Sequence, residues 1–121
     1  MKYLISKKCY QNINTFYHNV AKKYKHTYSK EMMHKNIDEA IDGMYQIENG
    51  LQRRTPTISR WQGYFMANTK KWYYAYTVSD DIITIVDACH AQNMHESKKA
   101  ISQIIKEIIN RYLRENLLLA N

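Results

Sequence analysis

No run of apolar residues in this chain approaches the roughly 18–20 that a bilayer-crossing helix needs. The opening MKYLISKKCYQN holds an apolar run of only three residues, too short for the hydrophobic region of a signal peptide. Both absences lead to the expectation of a soluble, cytoplasmic protein with no membrane partner. Cysteine is scarce: Cys9 and Cys89 form neither a zinc-like spacing nor a disulfide framework. They are expected to be reduced and buried, as thiols of cytosolic proteins are. With three Gly and one Pro, the chain has no low-complexity segment, and it has no internal repeat. Acidic residues are nearly missing from its first part. Residues 1–35 hold eight Lys and one Glu, whereas residues 36–121 hold ten charges of each sign. Such a one-ended basic balance is the electrostatic footprint of a surface for RNA or another polyanion. A solvated, lysine-rich helix is the plainer alternative.

A chain of 121 residues makes one domain and can bury roughly two-thirds of its unfolded surface without staples. Eleven tyrosines supply large contact area with a polar tip, suited to cores and to wet binding faces. Residues 3–9, YLISKKC, alternate in part and read as an edge or parallel strand. From Gln11 the period becomes helical, with Ile13, Phe16, Tyr17, Val20, Tyr24 and Tyr28 as its apolar positions. A second helix is expected to begin near Ser29 or at Asn36, where NIDE has the form of a capping box, and to stop at Gly50. Residues 52–63 read as a connecting loop with some extended structure. YFMA at 64–67, WYYAYTV at 72–78 and IITIVDAC at 82–89 are strand patterns joined by short turns, hence an antiparallel meander. Asp80 and Asp81 are turn formers. From Glu96 the helical period returns, with Ile101, Ile104, Ile105, Ile108, Ile109, Tyr112, Leu113 and Leu117 as a wide stripe. That helix is expected to pack on the sheet, with part of it available to another chain. The expected fold class is therefore α+β: N-terminal strand, helical hairpin, three-strand meander and an extra C-terminal helix. Residues 1–95 would form the core and 96–121 the terminal helix of a single domain, 1–121.

Within the meander, alternation places Trp72, Tyr74, Tyr76 and Val78 on one face and Tyr73, Ala75 and Thr77 on the other. The heavier face should look inward, leaving Tyr73 accessible to a ligand. Asp87 sits among apolar residues and must find a partner or face outward. It could orient His90 or act as a base; a structural hydrogen bond is the plainer role. Cys89, His90 and His95 do not make a metal site, because adjacent residues on a strand point to opposite faces.

The order of elements resembles the RelE/ParE superfamily of bacterial toxins. The local match lies in YAYTVSDDIITIVDACH and in RWQGYFMA. The first looks like the last two strands of the RelE and YoeB-like branch, ending in a polar, His-bearing tip. The second is similar to the stretch that leads into the meander. The resemblance spans about residues 1–95, and its specific part is 60–95. Two features differ from the family pattern: WYYAYTV contains no cation, and the chain runs on for a further helix.

The resemblance implies the toxin component of a type II toxin–antitoxin system, partnered by a cognate antitoxin. It further implies a ribosome-dependent mRNA endonuclease that uses neither metal nor cofactor. In such a reaction the ribose 2′-OH attacks the adjacent phosphate, and a base, an acid and positive charge gather around that phosphate. His90 would be the acid–base residue, Arg60 and Lys71 would hold phosphate, and Tyr73 would stack a base or orient the ribose. Lys22, Lys23, Lys25, Arg53, Arg54 and Lys70 would carry RNA-backbone contacts. Two alternatives stay open. One is a ParE-like gyrase inhibitor or inactive homologue; the other is an interaction module, a homodimer through the C-terminal helix.

Overall fold

The computed structural model describes residues 1–95 and 105–115. The chain forms β1 (Lys2–Ile5), α1 (Lys7–Lys23), α2 (Lys30–Met44), a 3-10 turn (Ser59–Trp61), β2 (Phe65–Asn68), β3 (Trp72–Ser79), β4 (Ile82–His90) and a second 3-10 turn (Ala91–Asn93). Residues 105–115 are helical. The sheet runs in the order β1-β4-β3-β2, with β1 parallel to β4 and the other pairs antiparallel. The fold is thus α+β, with a parallel edge strand on an antiparallel meander.

The first strand is shorter than its sequence pattern suggests, and the helix begins earlier. Lys7, Lys8 and Cys9 belong to α1, because Cys9 is the first member of its buried stripe, Cys9, Ile13 and Tyr17, spaced four apart along one helix face. The Cys9 thiol lies 3.2 Å from Ser6 Oγ and 3.6 Å from the Ile85 carbonyl, which draws the helix start onto β4. The second helix is capped by Ser29, whose hydroxyl accepts from the Met32 N–H at 3.1 Å. Asn36 is therefore no cap; it lies inside α2 and donates to the Tyr28 hydroxyl at 2.6 Å. The helix ends at Met44 and passes into turns before Gly50.

Gly43 is required by a close approach. A Cβ there would lie 2.6 Å from the Tyr74 hydroxyl, which donates to the Ala40 carbonyl at 2.6 Å. This bond pins α2 to the middle of β3.

The hairpin between β3 and β4 turns on Asp80 and Asp81, both with positive φ (52° and 62°), a conformation that Asp tolerates better than most side chains. Register slips by one residue near Ala75 and Tyr76, so that Tyr76 pairs with Ile85 and Ala75 with Asp87. Val86 is the extra residue of this bulge. The helices cover the face that carries Trp72, Tyr74, Tyr76, Ile83 and Ile85, the heavier face by alternation. The opposite face is covered as well. Ile58 and Trp61, from the segment that reads as a plain loop, bury Met66, Ala75 and Cys89 in a second small core. Arg54 extends this layer, exchanging two backbone hydrogen bonds with Met66 of the edge strand at 2.7 and 3.1 Å.

The terminal helix does not pack as its stripe led us to expect. Ile105, Ile108, Ile109, Tyr112 and Leu113 are each at least half exposed. Amphipathic spacing shows that a helix has an apolar face, not what covers it. The rest of that stripe, Ile101, Ile104 and Leu117, lies outside the described residues. Among the described residues no helix is long and apolar enough to cross a membrane.

Candidate functional site

The last strand ends with two adjacent residues that serve different layers. The Cys89 thiol joins the small core, whereas the His90 ring turns to the helix side and stacks on Phe16, with centroids 3.9 Å apart and planes 10° from parallel. Trp72 meets the same imidazole edge-on at 5.4 Å. His90 also caps the second 3-10 turn: its Nδ1 accepts the Gln92 N–H at 3.2 Å. That bond occupies the Nδ1 lone pair, so the neutral ring carries its proton on Nε2 and presents a donor. Burial, and then the positive charge of Lys71, push the His90 pKa below its ordinary value. At neutral pH the ring is uncharged.

Beside His90 opens a cleft of about 320 Å³ between α1, the end of β4 and the first 3-10 turn. One wall is the helix, which contributes Lys8, Asn12, Thr15, Phe16 and Asn19. Their spacing of four, three and then four, if Phe16 is set aside, makes a polar stripe one helix face wide. Arg60 forms the facing wall, anchored by a hydrogen bond from Nη2 to the Cys89 sulfur at 3.3 Å. Burial raises the Cys89 pKa, against the opposing pull of Arg60, so the sulfur accepts as a thiol rather than as a thiolate.

Asp87 ties the two walls together. Its Oδ1 accepts from Asn12 and from the Ala88 N–H, both at 2.9 Å. Its Oδ2 accepts from the Trp61 indole at 2.7 Å and lies 3.5 Å from the Lys8 ammonium. The carboxylate is 6% exposed, and its hydrogen bonds go to these neighbours rather than to His90. The structural hydrogen-bonding role is the one observed. Burying the charge is tolerable because it is multiply hydrogen-bonded.

No family model matches the chain, and no match emerges among curated proteins or solved structures. The functional reading therefore rests on this geometry and on the sequence.

The residues singled out from sequence fall into separate places. His90 and Arg60 line the same cleft. Lys71 is close enough to depress the His90 pKa, and its carbonyl accepts the Ala91 N–H at 2.7 Å. With Lys70 it lines a different pocket, of about 310 Å³, beside Tyr17, Asn36, Glu39 and Trp72. Tyr73 pairs in register with Cys89 and packs against the small core, so it is not in the cleft. Arg53 lies over the Phe65 ring at 4.1 Å and Arg54 bridges Met66, both at the far edge strand. Lys22, Lys23 and Lys25 lie at and just beyond the end of α1. Of these, Lys23 reaches a groove of about 410 Å³ that also borders His90. His95 is exposed. No group of three His, Cys, Asp or Glu that could hold a metal ion occurs among the described residues.

Sequence reading missed Lys8, Asn12, Thr15 and Asn19 as cleft residues. The polar stripe of α1 was the available clue, but nothing in the local pattern says that β4 lies opposite it.

What the cleft can do chemically follows from this inventory. Arg60 offers a planar fork suited to phosphate, Lys8 adds a second cation, and His90 adds a neutral N–H donor. Asp87, with both oxygens engaged, is not free to act as a base. To accept a proton at Nε2, His90 must first give up its hydrogen bond to Gln92 and carry its proton on Nδ1.

Proposed function

We propose that this protein is a RelE/ParE-type toxin that cleaves mRNA on the ribosome and is neutralised by a cognate antitoxin. One observation carries the reading: His90 and Arg60, far apart in sequence, line a single basic cleft. Arg60 and Lys8 would stabilise the extra negative charge that the phosphate gains as the 2′-OH attacks. In that step the 2′-O–P bond forms and the P–O5′ bond breaks, leaving a 2′,3′-cyclic phosphate, while the 5′ oxygen takes up a proton from water. With its Gln92 bond released, His90 would remove the 2′-OH proton; its depressed pKa keeps it unprotonated and ready at pH 7. Lys71, beside the imidazole, would hold it in that form.

A second reading has its own support. Stacking on Phe16 and capping the second 3-10 turn are what a purely structural His90 would do. In that case the protein is a gyrase-inhibiting or protein-binding relative of the same fold. Induced expression in bacteria with mapping of mRNA 5′ ends separates the two. New 5′ ends in translated messages, lost in His90→Ala, support the nuclease. Toxicity with a DNA-damage response and no new ends supports gyrase inhibition, and no toxicity supports an interaction module.

A further inference from the structure

The cleft beside His90 does not stop at His90. The groove that continues toward the end of α1 shares four bordering residues with the cleft: Phe16, Asn19, His90 and Asn93. The Phe16–His90 stack is therefore a low ridge between two halves of one channel along the helix. One half ends at Lys8 and Arg60, the other at Lys23 and Tyr24. Fifteen residues of helix separate Lys8 from Lys23, roughly 22 Å at 1.5 Å per residue.

The contents of the channel repeat a pattern: cation, carboxamide, ring, carboxamide, cation. The amides of Asn19 and Asn93 make no hydrogen bond within the described protein, and both side chains are exposed. Tyr24 is half exposed, with the Lys23 ammonium 5.5 Å from its ring centroid. A half-exposed ring whose covering cation can move to a phosphate is a platform for a nucleobase, and free carboxamides match the edges of unpaired bases. Among the described residues Asp87 is the only carboxylate bordering either half, and its charge is already engaged by Lys8, Asn12 and Trp61. Of these residues, none presents a free negative group to a polyanion along the way.

The geometry points to a track for single-stranded RNA along α1. The chain would cross the Phe16–His90 ridge, with backbone phosphates at Arg60/Lys8 on one side and at Lys23 on the other, and with one base stacked on Tyr24. The length suits roughly four nucleotides, the short end of the site sizes of single-strand binders. This deepens the nuclease reading and rests on it for the role of the ridge, where the reacting phosphate would sit. It goes beyond that reading in naming Tyr24, Lys23, Asn19 and Asn93 as substrate contacts.

Fluorescence anisotropy with the full chain and an uncleavable six-nucleotide 2′-O-methyl RNA tests it. Lys23→Ala/Tyr24→Ala should weaken binding about tenfold and reduce the slope of log K against log salt by about one. Lys30→Ala/Lys35→Ala, which removes two exposed charges from α2, should leave affinity within twofold, and a dinucleotide or a duplex of the same sequence should bind more weakly than the hexamer. All the substituted side chains are exposed, so folding is preserved. Equal losses in the two double variants, no loss in either, or equal binding of duplex would overturn the track. The two proposals fail separately. RNA binding as described without mRNA cleavage in cells sinks the nuclease and leaves the track. Cleavage and binding unchanged in Lys23→Ala/Tyr24→Ala sinks the track and leaves the nuclease.

Discussion

The imidazole of His90 lies flat on the ring of Phe16, 3.9 Å between centroids, and donates nothing through Nδ1, which instead accepts the Gln92 N–H. A helix side chain and a strand end are thus joined through the group with the most chemical potential in the cleft. That relationship makes His90 both a packing residue and a titratable one, and the two roles can be measured apart.

The pKa of His90 should lie below 6.5 in the folded protein, because burial and Lys71 both disfavour the charged ring. A group whose folded pKa is depressed binds fewer protons folded than unfolded. Its contribution to stability is intact above the unfolded value and declines as pH falls from about 6.5 through the folded pKa. Two-dimensional NMR titration should show the low value, and Lys71→Ala should raise it. His90→Phe, which keeps a flat ring on Phe16, should flatten this part of the dependence in urea unfolding at pH 7.5 and 5. An unshifted titration would contradict the packing described.

Asp87→Ala should cost about 3 kcal/mol in chemical denaturation, since it leaves the Trp61 indole, the Asn12 amide and the Lys8 ammonium without their shared acceptor. Asp87→Asn should lose less, because one acceptor oxygen survives. Equal stability in wild type and Asp87→Ala would mean that the carboxylate does not hold the two walls together.

Gly43→Ala should destabilise by about 1–3 kcal/mol, because the new methyl collides with the Tyr74 hydroxyl and forces it off the Ala40 carbonyl. Combining it with Tyr74→Phe removes the colliding oxygen. Thr69 Cγ2, 2.9 Å from the added Cβ, still crowds the site, so recovery should be partial. Thermal unfolding of the two single variants and the pair, as a double-mutant cycle, reads the coupling.

Ile108→Asp should change the unfolding free energy by less than about 0.5 kcal/mol, the usual range for exposed positions away from special features. Ile108 is 60% exposed and takes no part in either core. A larger loss at low protein concentration would show that the helix contributes to the folded body. A loss that appears only at high concentration, with a matching change in sedimentation, would show that copies pair through it.

Much of the sheet was legible because its signals are local. Trp72, Tyr74 and Tyr76 alternate, Asp80 and Asp81 fit a tight turn, and the inward face follows from side-chain bulk. Boundaries failed where a distant partner decides them. Cys9 looks like the end of a strand until Ile85 is placed beside it; Asn36 looks like a cap until Ser29 takes that place. Ile58 and Trp61 carry no periodicity, so their small core could not be read from the 52–63 segment. The cleft was half legible. His90 and Arg60 stood out by chemical type, whereas Lys8 and Asn12 acquire meaning only from Asp87, more than seventy residues later in the chain.

The parallel pairing of β1 with β4 has a temporal side. Ser6 donates to the Val86 carbonyl across a separation of 80 residues, so the first strand has no strand to pair with until β4 has been synthesised. Contacts of such long sequence separation close late and slowly. Both walls of the cleft are fastened to that same final strand, α1 by Asn12 and the 3-10 turn by Trp61. A growing chain therefore has no assembled cleft until β4 leaves the ribosome, and whatever chemistry His90 performs waits for that strand.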